Sequence, residues 1–222
     1  MIKGVIFDID GVILDSMSIW EKAGEMFLKN LGKEPEPGLS KVLETMSMTE
    51  GALYLKGKYC PDMDVDEIIN GVNRAIEDFY AHQVQLKEGV EKFLEGLRRS
   101  GVRIVAATSC DRQVFERALA RLNVLDYFEK IFTCTEIGAG KSKPDIFIAA
   151  AEYMGTHPVD TWVFEDALYA IKTAKNAGFR TAGVYDEYSR DLWDEIKKVS
   201  DIYFERLNDV REFLEKAGLL LD

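Results

Sequence analysis

Two carboxylates stand two residues apart where an apolar run breaks, in Val5-Ile6-Phe7-Asp8-Ile9-Asp10-Gly11. Side chains of an extended segment alternate, so a regular strand puts Asp8 and Asp10 on one face, where two uncompensated negative charges repel. A cation or a shared proton relieves that repulsion. An Asp-Gly pair also makes a tight turn, which would account for Asp10 alone. A pair behind a buried strand reads instead as the start of a reactive site. Further chemistry-bearing groups follow in order: Thr108-Ser109, the Gly138–Lys143 loop with Lys141, and Glu165-Asp166.

The elements that must position these groups follow from hydrophobic period. Buried strands are expected at Val5–Phe7, Val102–Ala107, Ile131–Thr133, Trp162–Phe164, Thr181–Val184 and Ile202–Phe204, with helices between them, the one before the second strand running over Val90, Phe93, Leu94 and Leu97 to end near Gly101. This alternation implies an α/β fold, a Rossmann-like three-layer core with a parallel sheet covered on both faces. Between the first strand and Gly89 the strand pattern vanishes. Ile19, Trp20, Ala23, Met26, Phe27 and Leu31 fall at helical spacing, Leu39–Met46 and Gly51–Tyr59 read as shorter helices, and a long run passes through Ile68, Val72, Ile76, Phe79 and Tyr80. Residues 16–87 are therefore expected as a small all-helical unit inserted after strand one, and residues 1–15 and 88–222 as the core. In open α/β sheets ligands sit beyond the carboxyl ends of the strands, where all four chemical groups would converge.

Composition bounds the remainder. The 222 residues, 47% apolar and 30% charged, suit a globular chain with a sizeable core. A net charge of −11 argues against nucleic acid or anionic lipid as partner, because polyanion binding rests on Lys and Arg neutralising phosphates. No N-terminal basic-apolar leader is evident, so a cytoplasmic location is expected. Cys60, Cys110 and Cys134 lack metal-site spacing and read as reduced fillers. Gly140-Lys141-Ser142 mimics the end of a P-loop, but Thr135 stands where the earlier glycine is required. His82 and His157 have no nucleophile and carboxylate arranged around them.

Together the four strand-end groups resemble the four motifs of the haloacid dehalogenase superfamily. Asp8-Ile9-Asp10-Gly11-Val12 with Asp15-Ser16 resembles the first, Thr108-Ser109 the second, Lys141 in Lys141-Ser142-Lys143-Pro144-Asp145 the third, and Phe164-Glu165-Asp166 the fourth. The resemblance implies a nucleophilic Asp8 that forms an aspartyl-phosphate. Asp10 would be the acid and base that protonates the leaving oxygen and then activates water. Mg²⁺ would be held by Asp8, Asp166 and the main-chain carbonyl of Asp10, with Glu165 assisting. Thr108 and Ser109 would bind the phosphoryl group, and Lys141 would offset charge. Ser142, Ala167 and Ala170 depart from common family residues without removing a reacting group. Asp10 itself is absent from the dehalogenases, so the pattern favours phosphoryl transfer.

The helical insertion resembles the cap of the β-phosphoglucomutase-like branch. In that branch's sugar-phosphate mutases a histidine and an arginine of the cap hold a second phosphate; Trp20 and Met48 occupy those positions here. Trp20, Met48 and Arg112, with Lys41, are the expected substrate-facing residues. The expected function is Mg²⁺-dependent hydrolysis of a small phosphorylated metabolite, a sugar phosphate or similar. A sugar-phosphate mutase is the alternative, and a non-catalytic phosphate-binding module a more distant one.

Overall fold

A computed structural model describes residues 2–219. Six strands, β1 Gly4–Phe7, β2 Arg103–Thr108, β3 Ile131–Thr133, β4 Thr161–Glu165, β5 Arg180–Val184 and β6 Ile202–Phe204, form one sheet in the order β3-β2-β1-β4-β5-β6. All neighbouring pairs are parallel, and Phe7 of β1 lies between Ala106 of β2 and Phe164 of β4. The strand carrying the acidic pair is thus central.

Strand alternation divides the core into two layers. Val5, Phe7, Ile104, Ala106 and Phe164 face one side with Phe93 and Phe213, whereas Ile6, Val105 and Val163 face the other with Phe147. Phe93 belongs to α5 (Val90–Arg99), and the same layer takes Phe115 of α6 (Arg112–Arg121). The opposite layer is α8 (Asp145–Met154) and α9 (Leu168–Asn176), with α7 (Cys134–Ile137) lying between α6 and α8 in sequence. α10 (Trp193–Val199) and α11 (Val210–Lys216) complete the core, α11 supplying Phe213. Phe7, Phe93, Phe164 and Phe213 are each at most 1% exposed. Full burial of such a side chain contributes roughly 1.5–3 kcal/mol, so this aromatic layer is a main support of the sheet.

Four helices fill the interval after β1: α1 (Met17–Asn30), α2 (Leu39–Leu43), α3 (Met48–Lys58) and α4 (Val65–His82). They make the all-helical cap. α1 and α4 pack so closely that a Cβ on Gly71 would lie 2.3 Å from the ring of Phe27. The two chain passages joining cap to core run side by side: the Asp15 amide donates to Gln85 O at 2.9 Å and the Lys87 amide to Ile13 O at 3.0 Å.

Expected element boundaries shift where a cap controls them. α3 begins at Met48 rather than Gly51, because Ser47 and Glu50 form a capping box: the Ser47 amide donates to Glu50 Oε2 at 2.8 Å, and the Glu50 amide to Ser47 Oγ at 3.3 Å. α7 is not apparent in the hydrophobic pattern; an equivalent box of Thr133 and Glu136 starts it. Cys60, Cys110 and Cys134 are free and buried. Among the described residues no helix is long and apolar enough to cross a membrane.

Candidate active site

β1 stops at Phe7, and its ladder passes to the Asp8 amide, which donates to Phe164 O at 2.9 Å. The Asp8 carboxylate then turns over the sheet edge. Its Oδ1 accepts the Ile9 amide at 2.7 Å and lies 2.7 Å from Lys141 Nζ. Lys141 comes from the loop after α7, is 2% exposed, and also donates to Glu165 Oε1 at 2.6 Å. One ammonium therefore joins the end of β1 to the end of β4. Burial pulls the Lys141 ammonium down, but Asp8 and Glu165 together push it above its ordinary value, so it stays charged.

Asp166 follows β4 directly and rests against the turn that opens after Asp10. Gly11 has φ +77°, and a Cβ there would fall 2.3 Å from Asp166 Oδ2. Both the left-handed backbone and the close approach demand glycine. Oxygens of Asp8, Glu165 and Asp166 lie within 4.8 Å of one another. Glu165 Oε2 is buried without a hydrogen-bond partner. Burial first, and then the charge of Asp8, raise both Glu165 and Asp166 above the usual carboxylate range. A compact all-oxygen set with an orphaned buried acceptor and mutual repulsion fits a hard divalent cation such as Mg²⁺.

The Asp10 carboxyl faces the cap. Its Oδ1 accepts the Ser16 hydroxyl at 2.6 Å and the phenol of Tyr80, and Tyr80 Oη in turn accepts the Trp20 indole N–H at 2.6 Å. Burial and the neighbouring Asp8 push Asp10 up to about 6, although the hydrogen bonds from Ser16 and Tyr80 favour its charged form. A carboxyl balanced there can both give and take a proton near neutrality. Thr108, at the end of β2, is fully buried and its Oγ1 accepts the Cys110 amide at 3.0 Å. Ser109 Oγ lies 3.5 Å from Cys134 Sγ.

These groups open onto a cleft of about 170 Å³ between core and cap. Asp8, Asp10, Thr108, Ser109, Lys141 and Asp166 line it from the core, and Trp20 and Met48 from the cap. Glu165 lies behind Lys141. Arg112 is not brought to the cleft with the others: its guanidinium lies 2.9 Å from Glu136 and donates to Ile131 O at 2.8 Å, outside the cleft lining. Lys41 borders a separate surface depression. Sequence reasoning missed Tyr80 as a functional neighbour of Asp10 and placed it only in the apolar stripe of α4. The available signal was a phenol ending that stripe just before the chain returns to the core.

Residues 5–184 match the family described as haloacid dehalogenase-like hydrolase. The β-phosphoglucomutase of Bacillus subtilis is 29% identical over 191 residues, covering 82% of this chain and 83% of that protein. Fructose-1-phosphate phosphatase YqaB of Escherichia coli is 27% identical over 186 residues, covering 82% and 95%. The crystal structure of CbbY from Rhodobacter sphaeroides in complex with phosphate superposes with a TM-score of 0.83 over 95% of this chain and 97% of that one. At 19% identity, this likeness shows a common fold. With its motifs gathered at one sheet edge and its profile matched over most of its length, the chain belongs to the haloacid dehalogenase-like hydrolases.

Proposed function

We propose that this hydrolase is a Mg²⁺-dependent phosphatase that releases phosphate from a small phosphorylated metabolite through an aspartyl-phosphate on Asp8. The observation that carries the reading is the placement of Asp8 Oδ1 2.7 Å from the buried Lys141 ammonium, beside Glu165 and Asp166 and opposite an Asp10 raised to about 6. The relatives this chain resembles, a fructose-1-phosphate phosphatase among them, support the reaction class.

In the first step a carboxylate oxygen of Asp8 attacks phosphorus. The bond from phosphorus to the alcohol oxygen breaks, and protonated Asp10 gives its proton to that oxygen. In the second step Asp10, now charged, takes a proton from water, whose oxygen attacks phosphorus and frees Asp8 and inorganic phosphate. Lys141 holds Asp8 in position and offsets charge on the transferring group; Thr108 and the main chain near Ser109 bind its oxygens. Asp8, Asp166 and the main-chain carbonyl of Asp10 would hold Mg²⁺ with Glu165 beside them, and the ion supplies positive charge opposite the phosphoryl oxygens when bound. Residues 16–87 act as a cap that excludes water and selects the organic half of the substrate. A mutase would need a cap cation for a second phosphate, and Trp20 and Met48 provide none.

The test is phosphate release from a panel of phosphate esters with Mg²⁺. We expect turnover that Asp8→Asn lowers by at least ~10³-fold, as loss of a covalent nucleophile does. Absence of release from every ester, or unchanged turnover in Asp8→Asn, would sink the reading.

A further inference from the structure

The cap side of the cleft is built for carbon. Trp20, Met48, Ala52, Leu55, Ile69 and Val72 all line it. Ala52, Leu55 and Val72 belong to the buried core of the cap and cannot swing away to expose polar groups in their place. The polar side chains that the cap contributes, among the described residues, are Ser40, Glu44 and Ser47, besides the indole N–H of Trp20. Two of these four are already committed. Trp20 Nε1 donates to Tyr80, and Ser47 Oγ sits 2.8 Å from Glu50 Oε2 within the capping box.

Charge points the same way. Lys141 is the only cation among the described residues lining the cleft, and Asp8 and Glu165 hold it at 2.7 and 2.6 Å. The start of α3 faces the cleft through Ser47 and Met48, where free helix amides could have gripped an anion. Its own Glu50 carboxylate occupies that end instead. Glu44 adds a further carboxylate at the lining.

A hydroxyl-rich sugar would lose water to these apolar cap walls, and the hydroxyls of Tyr188 and Ser189 at the core edge of the cleft, with Ser40 and Glu44, could pair only part of it, at a cost for every group left unpaired. A second phosphate or a carboxylate would meet no free cation and would face Glu44. We infer that the substrate is the monophosphate ester of a predominantly apolar alcohol, carrying at most one or two further hydroxyls within reach of Ser40, Glu44, Tyr188 and Ser189. This inference rests on the phosphatase reading above and specifies its substrate class.

A series of n-alkyl phosphates (ethyl, butyl, hexyl) and benzyl phosphate, compared with glycerol phosphate and hexose monophosphates, tests it with wild-type enzyme and Mg²⁺. The alkyl leaving groups differ little in basicity, so the comparison reports recognition. The expected result is a rise in kcat/KM of about fourfold per added methylene until the cleft is filled, as apolar burial provides. Benzyl phosphate should exceed the hexose phosphates by at least about tenfold, a modest margin for a pocket that leaves several hydroxyls unpaired. Met48→Gln should flatten the dependence on chain length. A preference for glycerol or hexose phosphates, or no chain-length dependence, would overturn the inference and leave the phosphatase reading standing. No release from any ester would remove both.

Discussion

At the scale of single residues, the site is decided by the partner each carboxylate finds. Lys141 holds Asp8 and Glu165 by salt bridges, whereas Asp10, which pairs with no cation among the described residues, is hydrogen-bonded by Ser16 and by a phenol from the cap. That separation lets neighbouring acids take different roles. Tyr80 stabilises the charged form of Asp10, so Tyr80→Phe should raise its pKa further above about 6. The protonated acid then persists to higher pH, and the limb of the pH-rate profile governed by Asp10 should move alkaline, with kcat lowered about tenfold, a fraction of what general acid-base catalysis supplies. A limb that stays in place or moves to lower pH would show that the phenol does not tune this group. Asp8, Asp10, Thr108 and Asp166 could be placed at the sheet edge from the sequence because each ends or closely follows a buried strand, whereas Lys141, in the loop after α7, is placed there only by its motif. Tyr80 and the true partner of Arg112 were not legible. Both depend on pairings across 70 and 24 residues that no local period encodes.

At the scale of elements, buried strands were legible because their apolar runs are continuous, and helix starts were less so because caps set them. Leu39–Met46 shortens to Leu39–Leu43, and α7 arises from Thr133 and Glu136 inside what read as a strand followed by a loop. The cap is also held from the core side. Arg121, in the last turn of α6, donates to Tyr80 O at 3.2 Å and Val84 O at 2.6 Å, satisfying carbonyls that the end of α4 leaves open. Arg121→Ala should therefore cost about 1–2 kcal/mol of stability, the worth of one or two charge-assisted bonds at a partly exposed site. It should also loosen the end of α4 that delivers Tyr80 to Asp10. Chemical denaturation checks the first effect, and hydrogen exchange at residues 79–86 checks the second. Unchanged exchange there would show that α4 ends without help from the core.

At the scale of the molecule, four carboxylates, Asp8, Asp10, Glu165 and Asp166, face one ammonium in a buried site within a chain of net charge −11. Asp10, Glu165 and Asp166 have folded pKa values raised above their ordinary ones, so between those values the folded state holds more protons than the unfolded state. Their contribution is most favourable at low pH and is lost as pH rises through the folded values. Asp10, moving from 3.8 to about 6, accounts for roughly 3 kcal/mol of this change. Paired acids nearer the surface, such as Glu95, Glu129 and Asp160, shift downward and so lose their contribution only below this window. Freed of divalent ions with chelator, the protein should melt at a higher temperature at pH 5.5 than at pH 7.5. Mg²⁺ should raise the melting temperature more at pH 7.5, where the carboxylates are charged and bind it best. A metal-free protein that is more stable at pH 7.5 would overturn this account. The paired passages at Ile13–Asp15 and Gln85–Lys87 carry a different consequence. Because the chain leaves the core and returns to it across a single pair of hydrogen bonds, the helices between can be exchanged without lengthening or re-registering a strand, provided the exchanged segment again supplies hydrogen bonds to Asp10 where Ser16 and Tyr80 now do. The selector of the leaving group is in this way separable from the strands of the sheet, and bound to its chemistry only through Asp10.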